Sequence, residues 1–495
     1  MSVVITKPLS VQTAERSALD GDLVRSLAWT GGMKWVSQIL NWAATVIVAR
    51  MLVPEDYGLV GMASVYLALV ALVNEFGLSA AVVTRRHLTH NQIAQINSLS
   101  LLLGLAALII SVAAAFPASS YFNAPELGWV IVVMSSSFVT SALATVPYSL
   151  LQRDLQFKLL ALIEGFQAFA QAAGMVAFAF LGLRYWTLVC GSLLSGVVFT
   201  GMLLWSRPHS FAWPRPASIK DALTFSWHVL VARLCWFAQS NGDRLIAGRI
   251  LGKAALGAYA VGWTLASLPI EKITGLMSRV TPAFFSAVQT DFAAIRRYLL
   301  TLTEGLAFLT LPAGCGLALV AEELVAVALG ENWGMAVRPL QILAILTGIR
   351  AIDPLLSQIL YVVGESRFVM RLGLAAGPFL VLSFYFGSRW GIVGIAAAWL
   401  AFYPFLVLPL YWKVFKTISL SPSAYLSVLW PAFNGTLVMA AAVLLLKLTI
   451  PSSWPMWLLL GTEVATAAVV YFLTVFTFHG ERVRRFYRFL RTVRG

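Results

Sequence analysis

Residues 233–250, RLCWFAQSNGDRLIAGRI, carry Arg233, Asp243, Arg244 and Arg249 inside a stretch otherwise apolar enough to cross a bilayer. A charge at the centre of a membrane costs about 2.5–3.5 kcal/mol on insertion scales, so such residues pair, snorkel to the rim, or face a wet cavity. Other charges lie in comparably apolar runs: Lys34, Lys272 and Arg350, with Glu75, Glu164, Glu271, Glu304, Asp353 and Glu463. Lys34 and Arg233 stand out, because neither has an acid three or four residues away. At 1.5 Å per residue each sits roughly 10–15 Å from the rim of its run. Gln38 and Asn41 share the helical face of Lys34, and Ser240 and Arg244 that of Arg233, with Asn241 adjacent.

A polar stripe led by a cation suits an anion. Arg offers paired hydrogen bonds to phosphate oxygens and Lys a movable point charge, so a diphosphate is a strong chemical match. The expected anion-binding set is Lys34, Arg233, Arg244 and Arg350, walled by Gln38, Asn41, Ser240 and Asn241. Snorkelling toward cytoplasmic water is the alternative for Lys34 and Arg233. Arg350 and Asp353, three residues apart, are expected to pair on one helix face, and Glu271 and Lys272 to find partners on neighbouring helices. Glu75, Glu164, Asp243, Glu304 and Asp353, with Glu463, are candidates for coupling to H+ or Na+. Trp35, Trp42, Trp227 and Trp236 lie near these stripes and could stack on sugar faces, while most other aromatics suit interfacial belts.

The elements that position these residues are set by composition. Of 495 residues 59% are hydrophobic and 11% charged, where soluble domains carry about 25% charged. The bulk of such a chain must face lipid. Apolar runs of helical length, not ~10-residue alternation, point to helices rather than a barrel. The runs are 27–50, 57–81, 93–115, 127–150, 159–181, 186–206, 223–248, 256–279, 299–320, 338–362, 368–387, 391–412, 425–447 and 456–478. The expected fold is thus all-α and integral to the membrane, with about fourteen spanning helices. Its parts are a tail 1–26, a six-helix bundle 27–206, a linker 207–222, a second bundle 223–413, two further helices within 425–478, and a basic tail 479–495. The first run follows a polar tail and lacks a cleavage pattern, so a signal peptide is not expected. Cys190, Cys235 and Cys315 all fall within spans and read as small buried hydrophobes.

Basic residues fix an orientation. Arg85, Arg86, Arg153, Lys158, Arg207, Arg215, Lys220, Arg296, Arg297, Arg367, Arg371, Lys413 and Lys416 fall in alternate loops, and the C-terminal tail adds six arginines. The positive-inside bias places these loops and both termini in the cytoplasm. The net charge of +14 therefore reads as orientation and anionic-lipid contact, and its spread over short loops argues against nucleic acid. In the tail, Val483, Phe486, Tyr487, Leu490 and Val493 follow helical spacing among arginines, as in a helix lying on the inner leaflet.

The chain also repeats. A shift of 199 residues lays Arg50 on Arg249, Leu52 on Leu251, Gly58 on Gly257 and Lys34 on Arg233. Six spans separate the copies, so both halves keep one orientation about an axis along the membrane normal. In the connector LVPEDYG, Pro54 ends one helix while Glu55 and Asp56 suit the first turn of the next. In GENWGMAVRP, Pro339 is expected to open the tenth span.

ARMLVPEDYG with NEFGLSAAVVTRR, NGDRLIAGRILGKAALGAYAVGWTLASLPIEKI with SRVTPAFFSAVQTD, and LGENWGMAVRPLQILAILTGIR with VVGESRF resemble the polysaccharide transporter family. These are Wzx-type flippases of the multidrug/oligosaccharidyl-lipid/polysaccharide (MOP) superfamily, and the colanic-acid-type exopolysaccharide exporters look most similar. The resemblance covers most of 25–415 and weakens in the last two helices. It implies a MATE-like pair of six-helix bundles plus two helices and a central cavity working by alternating access. The implied cargo is an undecaprenyl-diphosphate-linked repeat unit for exopolysaccharide, capsule or O-antigen, moved across a bacterial inner membrane. Glycan polymerase and glycosyltransferases of the pathway are the implied partners. Rival readings are a lipid-linked peptidoglycan precursor flippase, a MATE-type cation-coupled drug antiporter, and a membrane glycosyltransferase or polymerase. The last is disfavoured because every expected outer loop is short and AEELVAVALGENWGMA has no catalytic cluster. No G-x-x-x-x-G-K-[ST] loop occurs, so ATP hydrolysis is not expected, and no cofactor or metal is.

Overall fold

The computed structural model describes residues 38, 40–75, 78–84, 88–215, 237, 240–451 and 454–494. Lys34, Trp35, Trp227, Arg233, Cys235 and Trp236 lie outside the described residues, as does the side chain of Glu75.

Among the described residues the regular secondary structure is all helical, without strands. The helices are α1 (Leu40–Met51), α2 (Pro54–Glu75), α3 (Leu78–Thr84), α4 (His90–Phe122), α5 (Leu127–Ser135), α6 (Ser137–Arg153), α7 (Phe157–Phe180) and α8 (Trp186–Ser206). After α9, described over 240–246, and a π-helical turn at Ala247–Leu251 come α10 (Gly252–Ala287), α11 (Phe292–Leu319), α12 (Ala321–Ala328), α13 (Gly334–Arg350) and α14 (Asp353–Val362). The chain ends with α15 (Ser366–Gly387), α16 (Gly391–Thr417), α17 (Pro422–Thr449) and α18 (Met456–Arg494), the last bent at His479.

Ten described stretches are long and apolar enough to cross a membrane. The expected fourteen are not all recovered as separate spans, because 366–417 counts once though it holds both α15 and α16, and the runs 27–50, 57–81 and 223–248 fall partly outside the described residues. The side chains confirm the solvent. Ile109, Phe180 and Leu448 are 67%, 72% and 83% exposed, a large apolar surface that only lipid covers without penalty.

Local chemistry sets the helix ends. Thr89 caps α4 in a reciprocal box with Gln92, Asp291 caps α11 through the Ala293 and Ala294 amides, and Ser421 precedes Pro422 at the start of α17. Pro54 stands at the first position of α2, and Asp56 accepts the Val53 amide at 3.3 Å, as the LVPEDYG reading anticipated. Pro339 does not open the tenth span. Glu331–Trp333 forms a 3₁₀ turn and α13 starts at Gly334, five residues earlier. Pro339 then lies inside α13, in its second turn, where it forgoes the bond to the Met335 carbonyl.

The described chain divides into two compact units. One comprises residues up to Leu52 with Ala63–Leu234, the other Val53–Met62 with Cys235–Gly495, so α2 begins in the second unit and continues in the first. In the first unit, Leu78, Val82, Ile93, Ile96 and Val146 form an apolar core where α3, α4 and α6 meet. Segment 207–215 lies along α4, its Ala212 and Arg215 amides held by Ser98 Oγ and Gln95 Oε1. In the second unit, Leu299, Leu306, Leu356, Ile359, Val414 and Tyr425 tie α11, α14, α16 and α17. Gly314 of α11 faces Gly348 of α13, and a Cβ on Gly314 would lie 2.5 Å from the Ala344 carbonyl. Such close backbone approach is how membrane helices pack where burial gives no drive.

Candidate functional site

Pro354 has no N–H to give to the carbonyl of Arg350, four residues earlier, and the helix accordingly ends at Arg350 and restarts at Asp353. The partial charges at the two ends suit what they carry. The carbonyl end of α13 bears the cation Arg350, and the amide end of α14 bears the anion Asp353. Interrupted helices of this kind place ion and substrate sites in transporters.

The expected Arg350–Asp353 pair does not form. No described carboxylate lies within 4.0 Å of the Arg350 guanidinium; it sits over aromatic rings instead. Its Cζ is 4.7 Å from the ring centre of Trp399, 4.8 Å from Tyr403 and 6.0 Å from Trp263. Asp353, 7% exposed, accepts hydroxyls from Tyr403 at 2.5 Å and Tyr411 at 2.9 Å. The three-residue spacing misled because the interruption at 351–352 turns the two side chains out of one continuous face.

Arg350 and Asp353 line a cavity of about 360 Å³ with Ser240, Ser357, Trp399 and Tyr403, closed on the α15 side by Val369, Leu372, Gly373 and Ala376. Of the expected polar wall, Ser240 lines the same cavity as Arg350. Asn241 donates to the Phe237 carbonyl four residues earlier. Arg244 is half-buried, with its Nε shielded and lacking a hydrogen-bond partner. Asp243, 1% exposed, accepts the Tyr259 hydroxyl at 2.7 Å, the Trp399 indole N–H at 3.0 Å and the Arg244 amide at 2.8 Å. This knot joins α9, α10 and α16 directly behind the cage of Arg350.

The remaining candidates are dispersed. Glu304 is buried and paired with Arg482 at 3.2 Å. Glu164, in the first unit, accepts the Tyr148 hydroxyl at 3.4 Å. Gln38 and Asn41 are half-buried in the first unit, as is Trp42. Glu271 and Lys272 are both exposed on α10. Cys190 and Cys315 are free thiols.

Two features escaped the sequence reading. Trp263, Trp399, Tyr403 and Tyr411 were not singled out, although Trp399 and Tyr403 are one helical turn apart and could have been read as one polar-aromatic face. Glu323, set aside as loop charge, pairs with Lys447 at 2.7 Å, and Lys447 also faces Glu463 at 3.6 Å.

Known proteins align with this architecture. The lipid II flippase MurJ in an inward closed conformation superposes with a TM-score of 0.72 at 14% identity, over 92% of this chain and 99% of that one. An inward-facing MATE multidrug resistance transporter of the MOP superfamily gives 0.63 at 16% identity, over 78% and 96%. At such identities these likenesses speak for the fold alone. In sequence, the lipopolysaccharide biosynthesis protein WzxC of Escherichia coli is 23% identical over 63% of this chain and 64% of its own length. The succinoglycan biosynthesis transport protein ExoT of Rhizobium meliloti is 25% identical over 66% of each chain. The chain thus spans just under two thirds of the length of both relatives. A family model described as "Polysaccharide biosynthesis protein" matches residues 47–338, more than half of the sequence, and this multi-pass, all-α membrane protein belongs to that family.

Proposed function

We infer that the protein is a flippase, a transporter and not an enzyme, that moves undecaprenyl-diphosphate-linked oligosaccharide repeat units across the bacterial inner membrane for exopolysaccharide, capsule or O-antigen synthesis. Family membership and the lipopolysaccharide and succinoglycan roles in the names of its sequence relatives support the class of cargo. The observation that carries the mechanism is Arg350, a guanidinium at a helix break, facing a cavity and caged by aromatic rings instead of being neutralised by a carboxylate. Guanidinium binds phosphate oxygens in pairs. In this reading Arg350 holds the diphosphate, Lys34, Arg233 and Arg244 supply further positive charge, and the cavity exchanges sides by alternating access.

The lipid tail stays in the bilayer while the charged headgroup crosses. Coupling to H+ or Na+ belongs to the same reading, with Glu75, Glu164, Asp243, Glu304 and Asp353 as its candidate carriers. Both termini face the cytoplasm, the basic helix after His479 rests on the inner leaflet, and the glycosyltransferases and polymerase of the pathway act before and after this step.

The test is direct. Purified protein in liposomes is given a fluorescent polyprenyl-diphosphate oligosaccharide, and its accessibility to a membrane-impermeant quencher is followed without ATP. Transfer between leaflets that exceeds protein-free vesicles and collapses in Arg350→Ala is the expected result. Equal transfer by wild type and empty vesicles would remove the assignment.

A further inference from the structure

We propose that Asp243 and Asp353 are positioning residues which, acting through aromatic rings, hold Arg350 oriented, with no carboxylate bonded to it, toward a phosphate-bearing headgroup; this rests on reading Arg350 as the anion-binding group. The two nearest walls of the cage are each pinned by one buried carboxylate. Asp243 accepts the Trp399 indole N–H at 3.0 Å, and the same indole lies 4.7 Å from the Arg350 Cζ. Asp353 accepts the Tyr403 hydroxyl, and that ring lies 4.8 Å from the same atom. Asp243 also takes the Tyr259 hydroxyl at 2.7 Å. One turn further along α10 stands Trp263, the third ring, which lies 5.6 Å from Trp399.

The arrangement resolves a conflict. A carboxylate bonded directly to the guanidinium would fix its plane but occupy the donors that an incoming phosphate needs. Ring faces hold a cation without taking up all of its N–H donors, which leaves some of them for a phosphate. The rings must themselves be fixed, and their polar edges are what the two aspartates grip. Asp243 has its carboxylate taken up by three donors and is 1% exposed; it serves by placing acceptor atoms, so an amide whose oxygen stands in for Oδ2 keeps the Tyr259 and Trp399 bonds and gives up only the local one from the Arg244 amide. An ion-carrying role for Asp243 makes the opposite demand, because an amide cannot exchange a proton or a sodium ion in its stead.

The experiment uses the full chain in nanodiscs, with inorganic pyrophosphate as the probe and calorimetry as the readout. Arg350→Ala is expected to weaken binding about tenfold or more, as for a lost charged hydrogen bond. Trp399→Phe, which keeps a ring but loses the indole N–H, should weaken it about fivefold, and Asp243→Leu about tenfold. Their double variant should lose little more than the worse single, since both cut one linkage. Asp243→Asn should rescue binding to within about threefold and preserve the near-ultraviolet tryptophan dichroism that Asp243→Leu alters.

If Asp243→Leu does not fold, Trp399→Phe and Tyr259→Phe carry the test. Loss of binding in Asp243→Asn as complete as in Asp243→Leu would overturn the proposal, as would wild-type binding by Trp399→Phe. If Arg350→Ala binds as wild type does, the anion reading itself falls, and the positioning roles with it. If only Arg350→Ala loses binding, positioning alone is refuted.

Discussion

Gly58 and Gly257, separated by 199 residues, pack against each other reciprocally. A Cβ on Gly257 would lie 1.8 Å from the Pro54 carbonyl and 2.8 Å from the Gly58 amide nitrogen, and one on Gly58 would lie 1.6 Å from the Lys253 carbonyl. Pro54 and Lys253 are themselves 199 apart, so the contact maps each copy of the sequence repeat onto the other. Because the obstructing atoms are backbone, no rotamer change relieves them. Gly58→Ala or Gly257→Ala should each destabilise by about 1–3 kcal/mol, read as a lowered melting temperature in detergent, whereas Gly201→Ala, with open space around it, should melt as wild type does.

Arg350→Lys tests geometry against charge. Lysine keeps the cation but loses the planar fork and its fit to the rings of Trp399 and Tyr403. Transport should fall about 10–100-fold, the equivalent of one charged hydrogen bond. Flipping rates in liposomes at matched protein density decide it; a rate within twofold of wild type would show that only charge matters.

Lys447 holds two buried acids, Glu323 of α12 and Glu463 of α18. Replacing it with Met leaves both without a counter-charge, and removing one partner of a buried pair costs about 3–5 kcal/mol. Glu463→Gln should cost far less, because the 2.7 Å pair with Glu323 survives. Comparing the melting temperatures of the two variants checks the ranking.

His209, in the segment that lies along α4, has its ring 4.7 Å from that of His90. Burial, then the nearby His90 and Arg207, lower its proton affinity below the ordinary value of 6.5. A depressed histidine favours the neutral docked form. Docking is therefore intact above pH 6.5 and weakens as pH falls through that ordinary value toward the lower folded one. Deuterium uptake by residues 207–215 should rise between pH 7.5 and pH 5.5, and His209→Gln should flatten the change.

Hydropathy alone revealed the membrane setting and most helices. Lipid admits only backbones that satisfy themselves, so apolar runs must be helices, and α8 occupies the expected 186–206. What stayed hidden was tertiary pairing. Arg350 and Asp353 invited a local pairing, yet their partners Trp399, Tyr403 and Tyr411 lie some fifty residues on, and nothing local encodes that meeting. Glu323 and Lys447, 124 apart, invited no pairing, because helical spacing relates residues three or four apart and α12 is far from α17 in sequence.

The break beside Pro354 also bears on movement. In an uninterrupted membrane rod, swinging one end relative to the other requires tearing main-chain hydrogen bonds in a medium that offers no substitute. Here the bond from position 354 to the Arg350 carbonyl was never made. The rod is thus jointed beside its cationic tip, and the lower piece, gripping two phenols, can pivot without unwinding.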